Sequence, residues 1–304
     1  MIYENVLDLI GRTPTVKISK IMADCKNNNN MFIKLESKNP GGSSKDRIAY
    51  KMIRSLLDNK KINENSTIVE VTSGNTGIGL AMVCAYYNLK LIIVINESVT
   101  YERIKILELY GAKIIKVCKN KGMEHSIHIA KEICKRIENS VYINQFDNFD
   151  NLNAHYEKTA NEIIEDFEND LDYIFVGMGS TGTIMGISKK MKELKKEIKI
   201  IGVEPSSCSF YKNNVKGEGD IPGIGTTFIP YIYNKKLIDE ILLVDKQKAI
   251  TCMETMLKKE GINVGMSSGA VVCAGIEYLE KNKISDKNVL FICPDSVDRY
   301  LSIL

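Results

Sequence analysis

Short apolar runs alternate along this chain with longer amphipathic stretches, and that alternation limits the available folds more than any other feature. "TIVEV" (Thr67 to Val71), "LIIVI" (Leu91 to Ile95), "KIIKVC" (Lys113 to Cys118) and "YIFVGMG" (Tyr173 to Gly179) read as strands. So do "KIIGVEP" (Lys199 to Pro205) and "NVLFICPDS" (Asn288 to Ser296). Between them "GIGLAMVCAYY", "YERIKILELYG" and "AHYEKTANEIIEDF" carry apolar residues at helical spacing. Strands alternating with helices predict an α/β protein with open, twisted, mostly parallel sheets and helices on both faces. The pattern breaks at "DNFDNLN", near Asn148 to Asn153, and a length of 304 residues suits two domains. The expected division is 1–148 and 149–304. No repeat at solenoid period is visible.

Composition narrows the partners. Net charge is +3 with both signs interleaved, so no nucleic-acid surface is implied. The run "CKNNNN" (Cys25 to Asn30) reads as a polar loop. Eight cysteines are scattered without CxxC spacing, in contexts such as "AMVCAYY" and "LFICPDS". That usage fits reduced thiols inside a cytosolic protein. No N-terminal stretch resembles a signal peptide and no apolar run reaches membrane-spanning length, so a cytoplasmic protein is expected.

Open parallel sheets bind ligands beyond the carboxyl ends of their strands, so the loops after each strand carry the functional information. "TSGNTG", Thr72 to Gly77, offers hydroxyls, an amide and backbone N–H groups at a helix start, a set suited to a carboxylate as well as to simple capping. "GSTGT", Gly179 to Thr183, also opens a helix and reads as a phosphate cradle. It has neither a P-loop lysine nor GxGxxG, which points away from nucleoside triphosphatases and dinucleotide enzymes. "GMSSGA" (Gly265 to Ala270) sets two serines before an apolar helix, and "PGIGTTF" (Pro222 to Phe228) adds further glycines. "NPGGSSKDR" places Lys45 behind two glycines and two serines. An amine, a phosphate anchor and a carboxylate grip are together what a pyridoxal phosphate enzyme needs.

Seven segments then resemble, in order, the cysteine synthase and cystathionine β-synthase family of type II pyridoxal-phosphate enzymes. They are "IGRTPTVKI", "LESKNPGGSSKDR", "TSGNTGIGLA", "GSTGTIMG", "IGVEP", "PGIGTTFIP" and "VGMSSGA". The resemblance implies a tryptophan synthase β-like fold. The smaller N-terminal domain would carry the Schiff-base lysine and the carboxylate loop, the larger C-terminal domain the phosphate loop. The first ~35 residues would pack on the larger domain. Lys45 corresponds to the lysine that holds pyridoxal 5'-phosphate, and partial desolvation at a helix start would make its amine a better nucleophile. Asn75 would bond the ring oxygen, and Gly179, Ser180, Thr181, Gly182 and Thr183 the phosphate. Ser267 matches the serine facing the pyridine nitrogen, where a hydroxyl weakens the electron sink and favours β-elimination over transamination. Thr72, Ser73, Asn75, Thr76, Gln145 and Gly225 match substrate-binding positions.

Some positions depart from the family pattern. Val71 replaces the usual proline before "TSGN", and Thr181 replaces a glycine of the phosphate loop, as in the siderophore-linked diaminopropionate branch. "NAHYEKTANEI" and "PDSVDRYL" lean towards cystathionine β-synthase, and "GIGTTF" follows neither branch closely. A bare catalytic core is expected, without haem extension or regulatory domain. The implied reaction is β-replacement on an L-serine derivative or L-cysteine through an aminoacrylate, by default O-acetylserine with sulfide to L-cysteine. Alternatives are cysteine-consuming replacement that releases hydrogen sulfide and forms cystathionine, lanthionine or serine, and amination to diaminopropionate. "SGNTG" speaks against the threonine-deaminase and serine-racemase branch. The resemblance also implies a homodimer and a docking site for a serine acetyltransferase tail. An intact Lys45 makes any scaffold role additional to catalysis. His125 and His128 lack a ligand partner at metal spacing and read as solvated; His155 reads as structural. Tyr156, Tyr231 and Tyr233 read as packing residues, and "KKMKELKKEIK" as a solvated helix face.

Overall fold

The apolar runs segregate into two sheets. In chain order the strands are β1 (Thr15–Ile18), β2 (Asn30–Leu35), β3 (Thr67–Val71), β4 (Lys90–Asn96) and β5 (Lys113–Val117). They continue as β6 (Ser140–Tyr142), β7 (Tyr173–Gly177), β8 (Lys199–Pro205), β9 (Glu240–Val244) and β10 (Asn288–Cys293). The computed structural model describes residues 2–303 apart from 22–27, 73, 98, 119–120, 169, 195 and 218. Ser73 and the beginning of the polar run, Cys25 to Asn27, therefore lie outside the described residues. A four-stranded sheet runs β5-β4-β3-β6, all parallel. A six-stranded sheet runs β1-β2-β10-β7-β8-β9, parallel except for the edge pair β1–β2. The fold is thus the doubly covered α/β arrangement the sequence predicts.

The larger sheet recruits the N-terminal strands β1 and β2, which pair beside the last strand, β10. Neither was flagged by its apolar run: β1 spans four residues and β2 contains Lys34, which is fully buried. β6 and β9 also escaped, the first because it spans only three residues.

The helices are α1 (Lys45–Asp58), α2 (Asn75–Tyr86), α3 (Tyr101–Leu109), α4 (Gly122–Arg136) and α5 (Phe149–Ala154). Then follow α6 (Ala160–Phe167), α7 (Gly182–Glu193), α8 (Phe210–Asn213), α9 (Lys246–Thr255) and α10 (Met266–Lys281). α2 is apolar all round because it is wedged between the small sheet and α1; a helix with no polar face needs such a double burial. Gly79 permits that wedge, since a Cβ there would lie 2.9 Å from the Lys45 carbonyl oxygen. α2 is thereby pressed against the first residue of α1. Among the described residues no helix is long and apolar enough to cross a membrane.

A buried ion network ties the two sheets together. Arg47, in the first turn of α1, donates from Nε and Nη2 to Glu36 (2.6 and 2.8 Å) just after β2. Its Nη1 and Nη2 donate to both oxygens of Glu162 on α6 (2.6 and 2.7 Å). Lys34 adds a contact of 3.2 Å to Glu162, and Thr13 bonds Glu36 at 2.7 Å. Burial alone would raise the Glu36 carboxyl, but the Arg47 guanidinium overcomes it and holds the group at about 2. Two planar forks on one guanidinium fix the angle of α1 as well as its position.

Removing Arg47 leaves Glu36 and Glu162 without the cation they share, and of these two Lys34 contacts only Glu162. Arg47→Ala is expected to cost about 3–5 kcal/mol of unfolding free energy, read as a lowered urea midpoint. A loss below about 1 kcal/mol would place the network among the marginal surface pairs.

Candidate active site

Three helices begin in the wall of one cleft. Lys45 opens α1, Thr181 and Thr183 flank the start of α7, and Ser267 lies in the first turn of α10. With Gly179, Ser180, Gly223, Ile224 and Pro294 they line one cleft at the carboxyl ends of β7 and β10. First-turn N–H groups have no helical acceptor, so the starts of α7 and α10 bring donors and a positive dipole end to the cleft, whereas at α1 the Lys45 and Asp46 N–H groups bond Ser43.

Lys45 is held by its preceding loop. Gly42 takes φ +86°, a conformation open to glycine, and the Arg299 guanidinium reaches to 2.6 Å from where a Cβ would stand. Gly41 donates its N–H to Asp46 Oδ2 (2.6 Å), which pins the turn to the first turn of α1. Burial pushes the Asp46 carboxyl up to about 7. Lys45 itself is half-buried; its Nζ lies 3.3 Å from Ser44 Oγ. Desolvation lowers its proton affinity, while Asp295, Glu36 and Asp46 draw it back up. A lysine so placed yields a neutral amine far more readily than a surface lysine.

The loop after β7 contains a strained residue. Thr181 has φ +65°, a left-handed conformation costly for a β-branched side chain. Its Oγ1 is buried and has no partner. Gly182 must be glycine because Asn151 packs against it where a Cβ would stand. Asn151 donates to the Gln145 carbonyl (2.8 Å) and to Ser180 Oγ (3.1 Å), joining this loop to the one that carries Gln145. Behind Thr183 lies His155, fully buried in a single π-turn between α5 and α6. Its ring bonds Thr159 Oγ1 (2.9 Å) and Thr183 Oγ1 (3.1 Å), and burial lowers it to about 3, so it is neutral. The structural reading of His155 thus gains content: it orients a hydroxyl of the loop.

Beyond β3, Thr76 Oγ1 donates to Gln145 Oε1 (2.8 Å), bringing two of the expected carboxylate-binding residues together. Thr72 Oγ1 accepts from the Gly74 N–H (3.2 Å). Glu70, buried in β3, accepts from the Gln145 N–H (3.2 Å), and burial pushes its carboxyl up to about 8. Gln145 is therefore held from β3, from Thr76 and from Asn151. Asn75 donates to Asp295 Oδ2 (2.7 Å), and its own Oδ1 is buried without a partner. Gly225 does not line the cleft: its N–H bonds the Met178 carbonyl (2.8 Å), and Gly223 and Ile224 form the wall instead.

Sequence reasoning missed Asn151 and Asp295. Asp295 lies in "PDSVDRYL", whose likeness to one branch carries no chemistry by itself. Asn151 sits in the segment that reads as a break between domains.

The residues present fit pyridoxal phosphate. An amine, a hydroxyl-rich helix start and a buried, partnerless Ser267 hydroxyl share one cleft. Residues 6–295 match the family model described as "Pyridoxal-phosphate dependent enzyme". Cysteine synthase B of Campylobacter jejuni is 43% identical over 99% of this chain and 98% of its own. A hydrogen sulfide-producing enzyme from Fusobacterium nucleatum superposes with a TM-score of 0.94 at 38% identity, covering 99% of this chain and 100% of that one. An O-acetylserine dependent cystathionine beta-synthase from Helicobacter pylori superposes at 0.93 with 35% identity, covering 99% and 98%. The chain belongs to the pyridoxal-phosphate dependent enzyme family.

Thr181→Gly tests whether the strain serves an anion. Relief of the left-handed threonine, worth about 1–2 kcal/mol, is offset by about 0.5–1 kcal/mol of added chain entropy in glycine. The cofactor-free variant should be at least as stable as wild type, yet bind pyridoxal phosphate about tenfold or more weakly, the loss of one hydrogen bond to a charged group. Equal affinity, measured by titration of the stripped proteins, would remove Thr181 from the phosphate site.

Proposed function

We propose that this pyridoxal-phosphate dependent enzyme performs β-replacement on an L-serine derivative, with O-acetylserine and sulfide giving L-cysteine. The observation that carries the reading is the single cleft in which Lys45, the loop around Thr181 and the partnerless Ser267 hydroxyl meet. Pyridoxal phosphate, when bound, supplies the carbonyl that captures an amine and the electron sink that makes the neighbouring carbon acidic.

The chain's own residues have distinct parts in this reading. Lys45 would hold the cofactor at rest. During turnover its freed amine would take the proton from the substrate α-carbon and later return it, a role suited to a lysine of lowered proton affinity. Gly179, Ser180, Thr181, Gly182 and Thr183 would grip the phosphate with N–H groups, hydroxyls and the α7 dipole. Ser267 would meet the pyridine nitrogen as a neutral partner, which leaves the ring's electron demand moderate and favours loss of a β-substituent. The hydrogen bond from Thr76 fixes which side-chain oxygen of Gln145 accepts, so its amide N–H groups would be the ones that donate to a substrate carboxylate, alongside Thr72 and Ser73. Asn75 would serve the ring oxygen.

The division at 148/149 suits this chemistry, because the carboxylate loop and the phosphate loop then belong to different bodies. Substrate binding to the first would draw the smaller body over the second. A homodimer and an acetyltransferase tail are carried in this reading by family likeness.

Cysteine as the β-donor, with release of hydrogen sulfide, is the second reading. The fold match to the Fusobacterium nucleatum hydrogen sulfide-producing enzyme over its whole length supports it.

Supplying O-acetylserine, O-phosphoserine, serine and cysteine in turn, with sulfide or an organic thiol, and weighing the products separates the two. Cysteine formed fastest from O-acetylserine supports the first reading; sulfide released fastest from cysteine supports the second. Lys45→Ala should fold, lose the visible absorbance of lysine-bound cofactor and lose turnover with every donor. Normal turnover by that variant would overturn the assignment of Lys45.

A further inference from the structure

β10 runs into the cleft wall at Pro294, and the next residue, Asp295, is 1% exposed. Its Oδ2 accepts from Asn75 Nδ2 (2.7 Å) and from the Tyr300 hydroxyl, and its Oδ1 is buried without a partner. Gly265, two residues before Ser267, donates its N–H to the Asp295 carbonyl (2.9 Å) and leaves no room for a Cβ beside Oδ1. Downstream, Arg299 donates to the Gly41 carbonyl, and the Arg103 guanidinium from α3 lies 5.2 Å over the Tyr300 ring. The segment after β10 is thus a strap that touches the Lys45 loop, α2, α3 and the start of α10. It delivers one carboxylate into the middle of them.

We propose that Asp295 is a positioning residue for the reaction, fixing Asn75 through a hydrogen bond and supplying the counter-charge for the Lys45 ammonium that forms when the lysine takes the substrate proton. The inference rests on the reading of Lys45 as the cofactor lysine. Only a proton moves: the α-carbon loses it, the Lys45 amine gains it, and the same ammonium returns it. The carboxylate is tied to the lysine's own loop, since Ser44 donates its N–H to the Pro294 carbonyl (2.9 Å) and Lys45 and Pro294 line the same cleft; a partly desolvated ammonium without an anion there would give the proton up too readily.

Lys45 is acted on by Asp295 first, then Glu36 and Asp46, and it in turn disfavours charge on His155. Burial raises the Asp295 carboxyl, while donation from Tyr300 and Asn75 and the charges of Lys45 and Arg103 lower it. Cys293 faces it from β10, with its thiol pushed up to about 12 by burial. Asp295 is the only anion of the three that also bonds a residue expected to touch the cofactor.

The test measures capture of pyridoxal 5'-phosphate by the stripped protein across a pH series, followed as the rise of visible absorbance. Attack needs the neutral amine, so the rate rises through a midpoint that reports the proton affinity of Lys45. Asp295→Asn keeps the shape and an acceptor for Asn75 but removes the charge. The midpoint should fall by about one pH unit or more, so that capture below it becomes about tenfold faster. Tyr300→Phe removes a donor that favours the ionised carboxylate, so Asp295 is protonated more readily and the midpoint should move the same way by less. A merely structural residue would slow capture at every pH without moving the midpoint, and that result overturns the proposal. If Asp295→Asn does not fold, an unmoved midpoint in Tyr300→Phe overturns it equally. Capture that persists in Lys45→Ala would instead overturn the reading of Lys45.

Discussion

The bidentate grip of Glu36 and Glu162 on Arg47 is the contact on which the rest of the site depends. Arg47 is two residues past Lys45, so whatever fixes its guanidinium fixes the first turn of α1. Glu36 follows a strand of the larger sheet and Glu162 lies on α6, whereas α1 packs with α2 on the smaller sheet. The lysine is therefore positioned by both halves at once. Buried ion pairs are seldom the cheapest source of stability, because both partners must be desolvated. Here the return is geometric, since a fork held on two sides cannot rotate without losing four hydrogen bonds.

Around that fixed point the site is assembled from neutral groups and helix starts more than from charges. His155 is held neutral by burial, Glu70 is pushed to about 8, and the cleft wall presents hydroxyls and backbone N–H groups. Dipoles of this kind need no reorganisation when an anionic ligand arrives. Two of them, at Thr181 and Ser267, stand in the structure as buried hydroxyls without partners. A buried donor without a partner costs about 1–3 kcal/mol, and the strain at Thr181 adds to it. Such costs concentrate where a ligand is to be held.

Much of this was legible in the sequence. Parallel strands buried on both faces announce themselves as apolar runs, unbroken through the middle of β4 and interrupted near the end by a single buried glutamate in β3 and β8. Loops that open helices carry a local chemical signature, so Lys45, Thr72 to Thr76, Gly179 to Thr183 and Ser267 could be singled out one by one. β2 was hidden because only Met31, Phe32 and Ile33 precede its buried Lys34, whose compensation lies at Glu162, far along the chain. Asn151 and Asp295 were hidden for the same reason. Asn151 matters because it bonds Gln145 and Ser180, and Asp295 because it bonds Asn75, 220 residues earlier in the chain. Contacts of that span leave no periodicity to read.

The central claim is that one lysine, singled out from the 41 basic residues by its place at the start of α1, holds the cofactor. Reduction of the pyridoxal phosphate-loaded protein with borohydride makes the lysine–cofactor bond permanent, and peptide mapping by mass then locates it. A single adduct on the peptide containing Lys45 is the predicted result. An adduct on any other lysine, or a spread over several with Lys45 unmodified, would contradict it.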